Sequence, residues 1–237
     1  MSEETNDAIK SLERSYAVFT ERFLKACNDA GKSPSDITVV AVTKKVEVER
    51  IKAAQALGLA DFGESYVQES REKVPLVQKP VTWHFIGHLQ KNKANLVIDL
   101  FDMIQSVDSV ELASKINSRG EALGRTIDIL LQIHYGDEAS KHGFAPDEVD
   151  RALETLVGMQ SLSIKGLMTI PPLEDDPEMS RPYFADMRRL SERIDEKGIP
   201  NWQSCFLSMG MTDDFELAIL EGSNMIRIGR AIFGERI

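Results

Sequence analysis

Ile37-Thr38-Val39-Val40-Ala41-Val42-Thr43-Lys44-Lys45 is the stretch on which the fold of this chain turns. The run Ile37 to Val42 is too short for a core helix and rich in β-branched residues. It therefore reads as a strand buried on both faces, the kind found in parallel sheets. A helical pattern begins directly after Val46, with Val48, Ile51, Ala54 and Leu57 on one face. Lys44 thus stands at the carboxyl end of a parallel strand, where α/β proteins bind their ligands. A solvated loop lysine is the commoner reading of such a residue. A partly desolvated amine there could instead lose its proton and condense with an aldehyde.

Working outward, the same alternation recurs. Ile9, Leu12, Tyr16, Phe19, Phe23 and Cys27 are spaced by three and four, which predicts an amphipathic helix within residues 1–31. Apolar strands are expected near 37–42, 60–64, 81–86, 103–108, 127–134, 163–169, 205–209 and 225–229. Helical patterns separate them, as in Tyr183, Met187, Leu190 and Ile194 after the sixth. Asp213-Asp214-Phe215-Glu216 opens the last crossover like a capping box. Eight strands with helical crossovers predict a single (β/α)8 TIM-type barrel over 37–237 with an extra N-terminal helix. A doubly wound sheet of similar content is the runner-up. No linker divides residues 1–237, so one domain is expected. The longest irregular piece, Pro171 to Pro177, reads as an acidic connector rather than a mobile rim loop.

Composition removes several classes. With 38 acidic against 28 basic residues, the net charge of −10 repels nucleic acid and anionic membranes. The acidic N-terminus lacks a signal segment, and no apolar stretch is long enough to span a membrane. Two unclustered thiols, Cys27 and Cys205, point to a reducing cytoplasm, each expected as a small core residue.

In a barrel the strand ends share one mouth, and here they carry chemistry: Lys44, Glu64 and Ser65, His84, Asp108, His134 and Tyr135, Met168 and Thr169, Ser208, then Arg227 and Gly229. Ser208-Met209-Gly210-Met211 closes strand seven, and Arg227-Ile228-Gly229-Arg230-Ala231 closes strand eight. Barrels often hold phosphate at this place, on backbone N–H groups freed by glycine and at a short helix. Ser208 could add a hydroxyl and Arg230 charge, unless Gly210 and Gly229 are ordinary turn glycines. Phosphate opposite a strand-one lysine suggests a phosphorylated aldehyde, with pyridoxal 5′-phosphate the leading candidate. Arg227, between Ile226 and Ile228, should face the barrel interior and needs an acceptor there. A pyridine nitrogen would serve, and an arginine beside it would keep that nitrogen unprotonated, a poor electron sink. The alternative is an arginine paired with a carboxylate such as Glu64.

Other motifs carry less. His84 and His88 have the i, i+4 spacing of a zinc helix but follow a strand pattern and flank Gly87, so no metal site is expected from them. His84 reads as a pocket-lining or satisfied core histidine, and Gln90-Lys91-Asn92-Lys93 as a solvated helix start. Phosphate-loop, dinucleotide and nucleophile-elbow motifs do not occur.

With these residues in place the chain resembles the pyridoxal phosphate homeostasis proteins, the YggS/PROSC family. The matching segments are Ala41 to Lys44, Phe62 to Glu69, Trp83 to Lys93, Gly166 to Ile170, Leu207 to Asp214 and Ile226 to Gly234. The resemblance implies a barrel like the N-terminal domain of alanine racemase, with pyridoxal phosphate held as a Schiff base on Lys44, next to Lys45. It implies phosphate contacts from Ser208, Gly229 and residue 230, and a ring-nitrogen contact from Arg227. Ser65 stands where many members have Asn, which suggests a weak or water-mediated ring contact. Arg230 stands where many have Thr, which alters how phosphate would be held. The family is understood to buffer and deliver the cofactor without turnover. The chain is accordingly expected to be a monomeric cytoplasmic carrier with PLP-dependent apoenzymes as transient recipients. The alternative is a PLP-dependent racemase or related enzyme, which would need a second base such as Tyr135 or His134. No second domain of the kind that brings a tyrosine to racemases is expected to follow strand eight in this reading.

Overall fold

The computed structural model describes residues 3–135, 142–172 and 175–234. Leu173 and Glu174 of the acidic connector lie outside them. Eight parallel strands close into a barrel in sequence order: β1 Thr38–Val42, β2 Asp61–Glu64, β3 Thr82–Phe85, β4 Met103–Val107, β5 Ile127–Ile133, β6 Leu162–Thr169, β7 Trp202–Ser208 and β8 Met225–Ile228. The closing pair is β1 with β8, in the register Val40 to Arg227 and Ala41 to Ile228. The barrel, not the open sheet, is the answer to the strand count.

The helices are α1 Glu3–Asp29, α2 Val48–Ala56, α3 Val67–Lys73, α4 Ala94–Leu100, α5 Val110–Leu123, α6 Val149–Leu156, α7 Arg181–Asp195, α8 Phe215–Leu220 and α9 Arg230–Phe233. They cover the outward residues of the strands, while Val40, Met103, Leu130, Met168 and Met225 fill the inside. Inward and outward residues alternate because the strand period is two. Filling both sides of one sheet is what requires the near-continuous apolar runs.

Helix α1 packs beside α8 and α9, next to the β1–β8 seam. Its Leu12, Phe19, Phe23 and Cys27 are buried, as their spacing requires. Phe19 meets Phe215 with ring centroids 5.5 Å apart. Arg22 donates to Glu216 at 2.8 Å and to the Thr212 carbonyl at 3.1 Å.

Two local expectations are corrected. Asp214 does not close a capping box on α8. Its side chain turns back to accept the Met211 N–H at 2.6 Å, and Glu216 is engaged by Arg22. Cys205 is exposed rather than part of the core. Ser204 takes φ 48°, the β6–β7 register shifts, and the Asn224 side chain bonds Leu207 N–H and the Cys205 carbonyl. Trp202 still pairs with Ile164, and the irregularity that follows turns Gln203, Ser204 and Cys205 toward solvent.

Candidate functional site

Lys44 occupies a tight turn just past β1, and the turn is braced from both sides. The Val46 N–H reaches back to the Thr43 carbonyl at 3.0 Å, and Lys45 sits at φ 59°. Lys73, in the last turn of α3, donates to the Thr43 carbonyl at 2.9 Å, to Glu64 Oε1 at 3.3 Å and to Glu69 Oε1. Glu69 in turn accepts the Lys45 N–H at 2.5 Å. The Thr43 hydroxyl donates to Glu64 Oε1 at 2.8 Å. The backbone on each side of Lys44 is therefore pinned by a buried Lys–Glu–Glu cluster.

Glu64 is wholly buried, and its Oε2 has no partner among the described residues. Burial pushes its carboxyl above the ordinary range, and the opposing pull of Lys73 and the Thr43 hydroxyl does not cancel it. Glu64 thus braces the turn and does not pair with Arg227.

The Lys44 side chain, half-buried, lines a cavity of about 480 Å³ together with Ser65, Tyr66, Gly87, His134 and Ile170. That volume is in the range of small-molecule sites. Gly87 forms part of its wall by close backbone approach: a Cβ there would lie 2.2 Å from the Ser65 carbonyl oxygen.

Arg227 enters the barrel interior, as its apolar neighbours on β8 predict. It is 3% exposed and donates to the Ser208 carbonyl, the Ser208 hydroxyl and the Thr169 carbonyl, each at 2.7 Å. Burial pushes its guanidinium down to about 10, with Asp214 opposing, so it stays a cation at neutral pH. Its neighbours form one directional chain. Ser208 Oγ donates to Gln105 Oε1 at 2.7 Å, and Gln105 Nε2 lies 3.0 Å from His84 Nδ1. His84 Nε2 lies 3.0 Å from Asp61 Oδ1. With the Gln105 oxygen committed to Ser208, its amide must donate to His84 Nδ1, which places the imidazole proton on Nε2 facing Asp61. His84 is a satisfied core histidine.

The structure brings Lys44 and Ser65 into one cavity and Ser208 and Arg227 into direct contact. These four lie with Gly229 and Arg230 on adjoining strand ends, because β1 and β8 pair. Ser208, Arg227, Gly229 and Arg230 are not lining residues of the Lys44 cavity. The Arg227 N–H donates to the Gly210 carbonyl at 3.0 Å, and Gly229 opens α9. Arg230 pairs with Asp213, and the Ala231 N–H points to the Thr212 hydroxyl at 3.4 Å. Of the two candidate bases, His134 lines the cavity. Tyr135 turns outward, its ring 5.4 Å from Tyr183 of α7. Burial raises its hydroxyl well above the ordinary value.

Sequence reading assigns no role to Lys73, Glu69 or Gln105, although Glu69 closes the matching segment that begins at Phe62. The first two sit inside a helix, away from any strand end. Gln105 left a trace, as a polar residue at an inward position of the apolar strand Met103–Val107.

Comparison with known proteins follows the same lines. Residues 21–237 match the family described as alanine racemase, N-terminal domain. A pyridoxal phosphate homeostasis protein of Pasteurella multocida is 38% identical over 229 residues, covering 95% of this chain and 98% of the relative. PipY of Synechococcus elongatus, solved with PLP bound, is 32% identical with a TM-score of 0.79, covering 90% of this chain and 99% of its own. A crystal structure of an unknown protein from Bifidobacterium adolescentis superimposes with a TM-score of 0.87 at 31% identity, over 98% of this chain and 97% of the other.

Proposed function

Because the chain belongs to the pyridoxal phosphate homeostasis proteins, a branch of the alanine racemase N-terminal domain family, we propose that it binds pyridoxal 5′-phosphate as a Schiff base on Lys44. It then acts as a non-catalytic carrier in cofactor homeostasis and delivery. The observation that carries this reading is the braced turn that presents a half-buried Lys44 to a cavity at the barrel mouth. The donor set fits the group. An amine stands at one wall, Ser65 shares that wall, and a buried cation on the neighbouring strand hydrogen-bonds to the neutral oxygens of Ser208 and Thr169.

In this reading Ser208, Gly229 and Arg230 serve the phosphate, and Arg227 faces the ring nitrogen. When bound, the cofactor supplies a carbonyl carbon that amines attack and a ring that can withdraw electrons. Arg227 works against the second of these, since a cation at the ring nitrogen disfavours protonation there. With Tyr135 facing α7, only His134 of the two candidate bases reaches the cavity. Tyr66, His88 and His142 line the same cavity as well, so the case against two-base racemisation rests on Arg227. A cation beside the ring nitrogen favours a carrier over a racemase. Among the described residues no helix is long and apolar enough to cross a membrane. We place the protein in the cytoplasm as a monomer, handing cofactor transiently to apoenzymes.

The test is an absorbance spectrum of the purified protein with added cofactor, followed by borohydride reduction and peptide mass mapping. A visible band that reduction converts to a pyridoxyl group on Lys44 is expected. A protein that stays colourless with cofactor present would reject the reading.

A further inference from the structure

His88 and His142 border the Lys44 cavity on one side and, with Asp108, form a cluster of their own on the other. The loops after β3 and β4 and the segment after β5 bring His88, Asp108 and His142 together on the rim, against a second cavity of about 490 Å³. His88 Nδ1 lies 3.3 Å, and His142 Nδ1 3.7 Å, from the same oxygen, Asp108 Oδ2. One donor atom from each residue lies within 4.8 Å of the other two. These separations exceed the roughly 2.7–2.9 Å of a charge-assisted hydrogen bond. The His88 separation matches the edge of a coordination tetrahedron, since donors about 2.0–2.1 Å from a zinc ion sit roughly 3.3 Å from one another, and the His142 separation is a few tenths of an ångström longer. The two imidazoles are stacked, with centroids 3.5 Å apart and planes 11° from parallel.

Asp108 and the backbone of His142 are also held in place by their surroundings. Asp108 is largely buried, and its other oxygen accepts the Ser109 hydroxyl at 3.1 Å, which turns Oδ2 toward the histidines. Ser109 is itself fixed as the cap of α5, accepting the Leu112 N–H. The His142 carbonyl accepts the Gln132 side-chain amide at 2.8 Å. Gly143 follows at φ 140°, where a Cβ would lie 2.9 Å from the His134 nitrogen. Phe144 then bonds to the end of β5. Supports of this kind, which hold a ligand's direction, accompany real metal centres.

We propose that His88, Asp108 and His142 form a binding site for a divalent transition-metal ion of the zinc class. Two imidazole nitrogens and one carboxylate oxygen coordinate it, and its remaining positions open to solvent. A mixed set of this kind suits zinc, and cobalt and nickel as substitutes. Coordination requires the rings to tilt out of their stack so that both lone pairs meet. Exposures of 44% for His88 and 51% for His142 leave room for that rotation. The ligands come from the loops after β3 and β4 and from His142, so the ion would tie His142 to the barrel rim.

The test uses the full, tag-free, cofactor-free chain at neutral pH, titrated with Zn²⁺ by calorimetry and with Co²⁺ by visible absorbance. The expected result is a saturable complex of one ion per chain, with cobalt bands typical of a four- or five-coordinate site. His142→Ala and Asp108→Asn should each weaken binding by at least about tenfold. Circular dichroism checks that the variants fold, and exposed His88→Ala supplies a third variant. Absence of saturable binding to the unmodified chain would overturn the proposal. So would affinity that survives both His142→Ala and Asp108→Asn. The titration needs no cofactor, so its failure is read separately from failure of the Schiff-base reading.

Discussion

Lys73→Met removes the cation that pins the Lys44 turn while keeping most of the side-chain volume. In the folded protein Lys73 serves Glu64, Glu69 and the Thr43 carbonyl, and its side chain is 11% exposed beside a wholly buried Glu64. Removing one partner of a buried ion pair costs about 3–5 kcal/mol. We take about 3 kcal/mol at pH 7, because Glu64 can escape part of the penalty by binding a proton. For a chain of this size that lowers the melting temperature by roughly 6–12 °C.

The pH dependence has a definite sign. Burial already holds the Glu64 carboxyl above its unfolded value. Its contribution to stability is therefore fully present below the unfolded pKa and lost as pH rises through the folded one. Without Lys73 the folded value rises further. The cost of Lys73→Met is thus largest at neutral pH and shrinks as pH falls through that raised value, where a neutral Glu64 needs no cation. Thermal melts of both proteins between pH 4.5 and 7.5 measure the difference, and Lys73→Met/Glu64→Gln should recover more than half of the loss at pH 7. A loss below about 1 °C at pH 7 would refute the reasoning. So would a loss of the same size at both ends of the range.

Lys44→Ala should abolish the borohydride-fixed pyridoxyl adduct with the fold intact, whereas Lys45→Ala should retain it; mass mapping decides, and a normal adduct in Lys44→Ala would sink the assignment. Gly87→Ala places a Cβ 2.2 Å from the Ser65 carbonyl oxygen. It should cost about 1–3 kcal/mol and weaken cofactor retention, read from urea unfolding and dialysis of the loaded protein. Gln105→Leu strands His84 Nδ1 and the Ser208 hydroxyl in the interior. A loss of about 1–3 kcal/mol in chemical denaturation is expected, and an unchanged midpoint would contradict the network. An aromatic disulfide reagent should titrate one thiol, Cys205, in the native protein and two after unfolding, since Cys27 is buried and its thiol raised by burial.

Much of this molecule was legible because its logic is periodic. Eight apolar runs alternating with amphipathic helices leave few ways to bury every face, and the strands fall within a few residues of their expected places. Arg227 could be placed inside the barrel from its neighbours alone, since strand alternation sets its direction. Cys205 was misplaced because its exposure follows from the positive φ at Ser204 and from Asn224, which lies on the approach to β8. The Asp213–Glu216 start was misjudged for a similar reason, because Arg22 of α1 claims Glu216.

The sequence by itself determined the strand and helix order, the barrel, the lysine after β1 and the arginine in β8, because each depends on local spacing and on the need to bury apolar surface. Only the tertiary structure decided the partners. Lys73 bracing the Lys44 turn, Gln105 linking Ser208 to His84, and His142 meeting His88 and Asp108 join residues from separate elements. Such contacts depend on where strand ends and loops converge in space, and no local pattern along the chain encodes that distance.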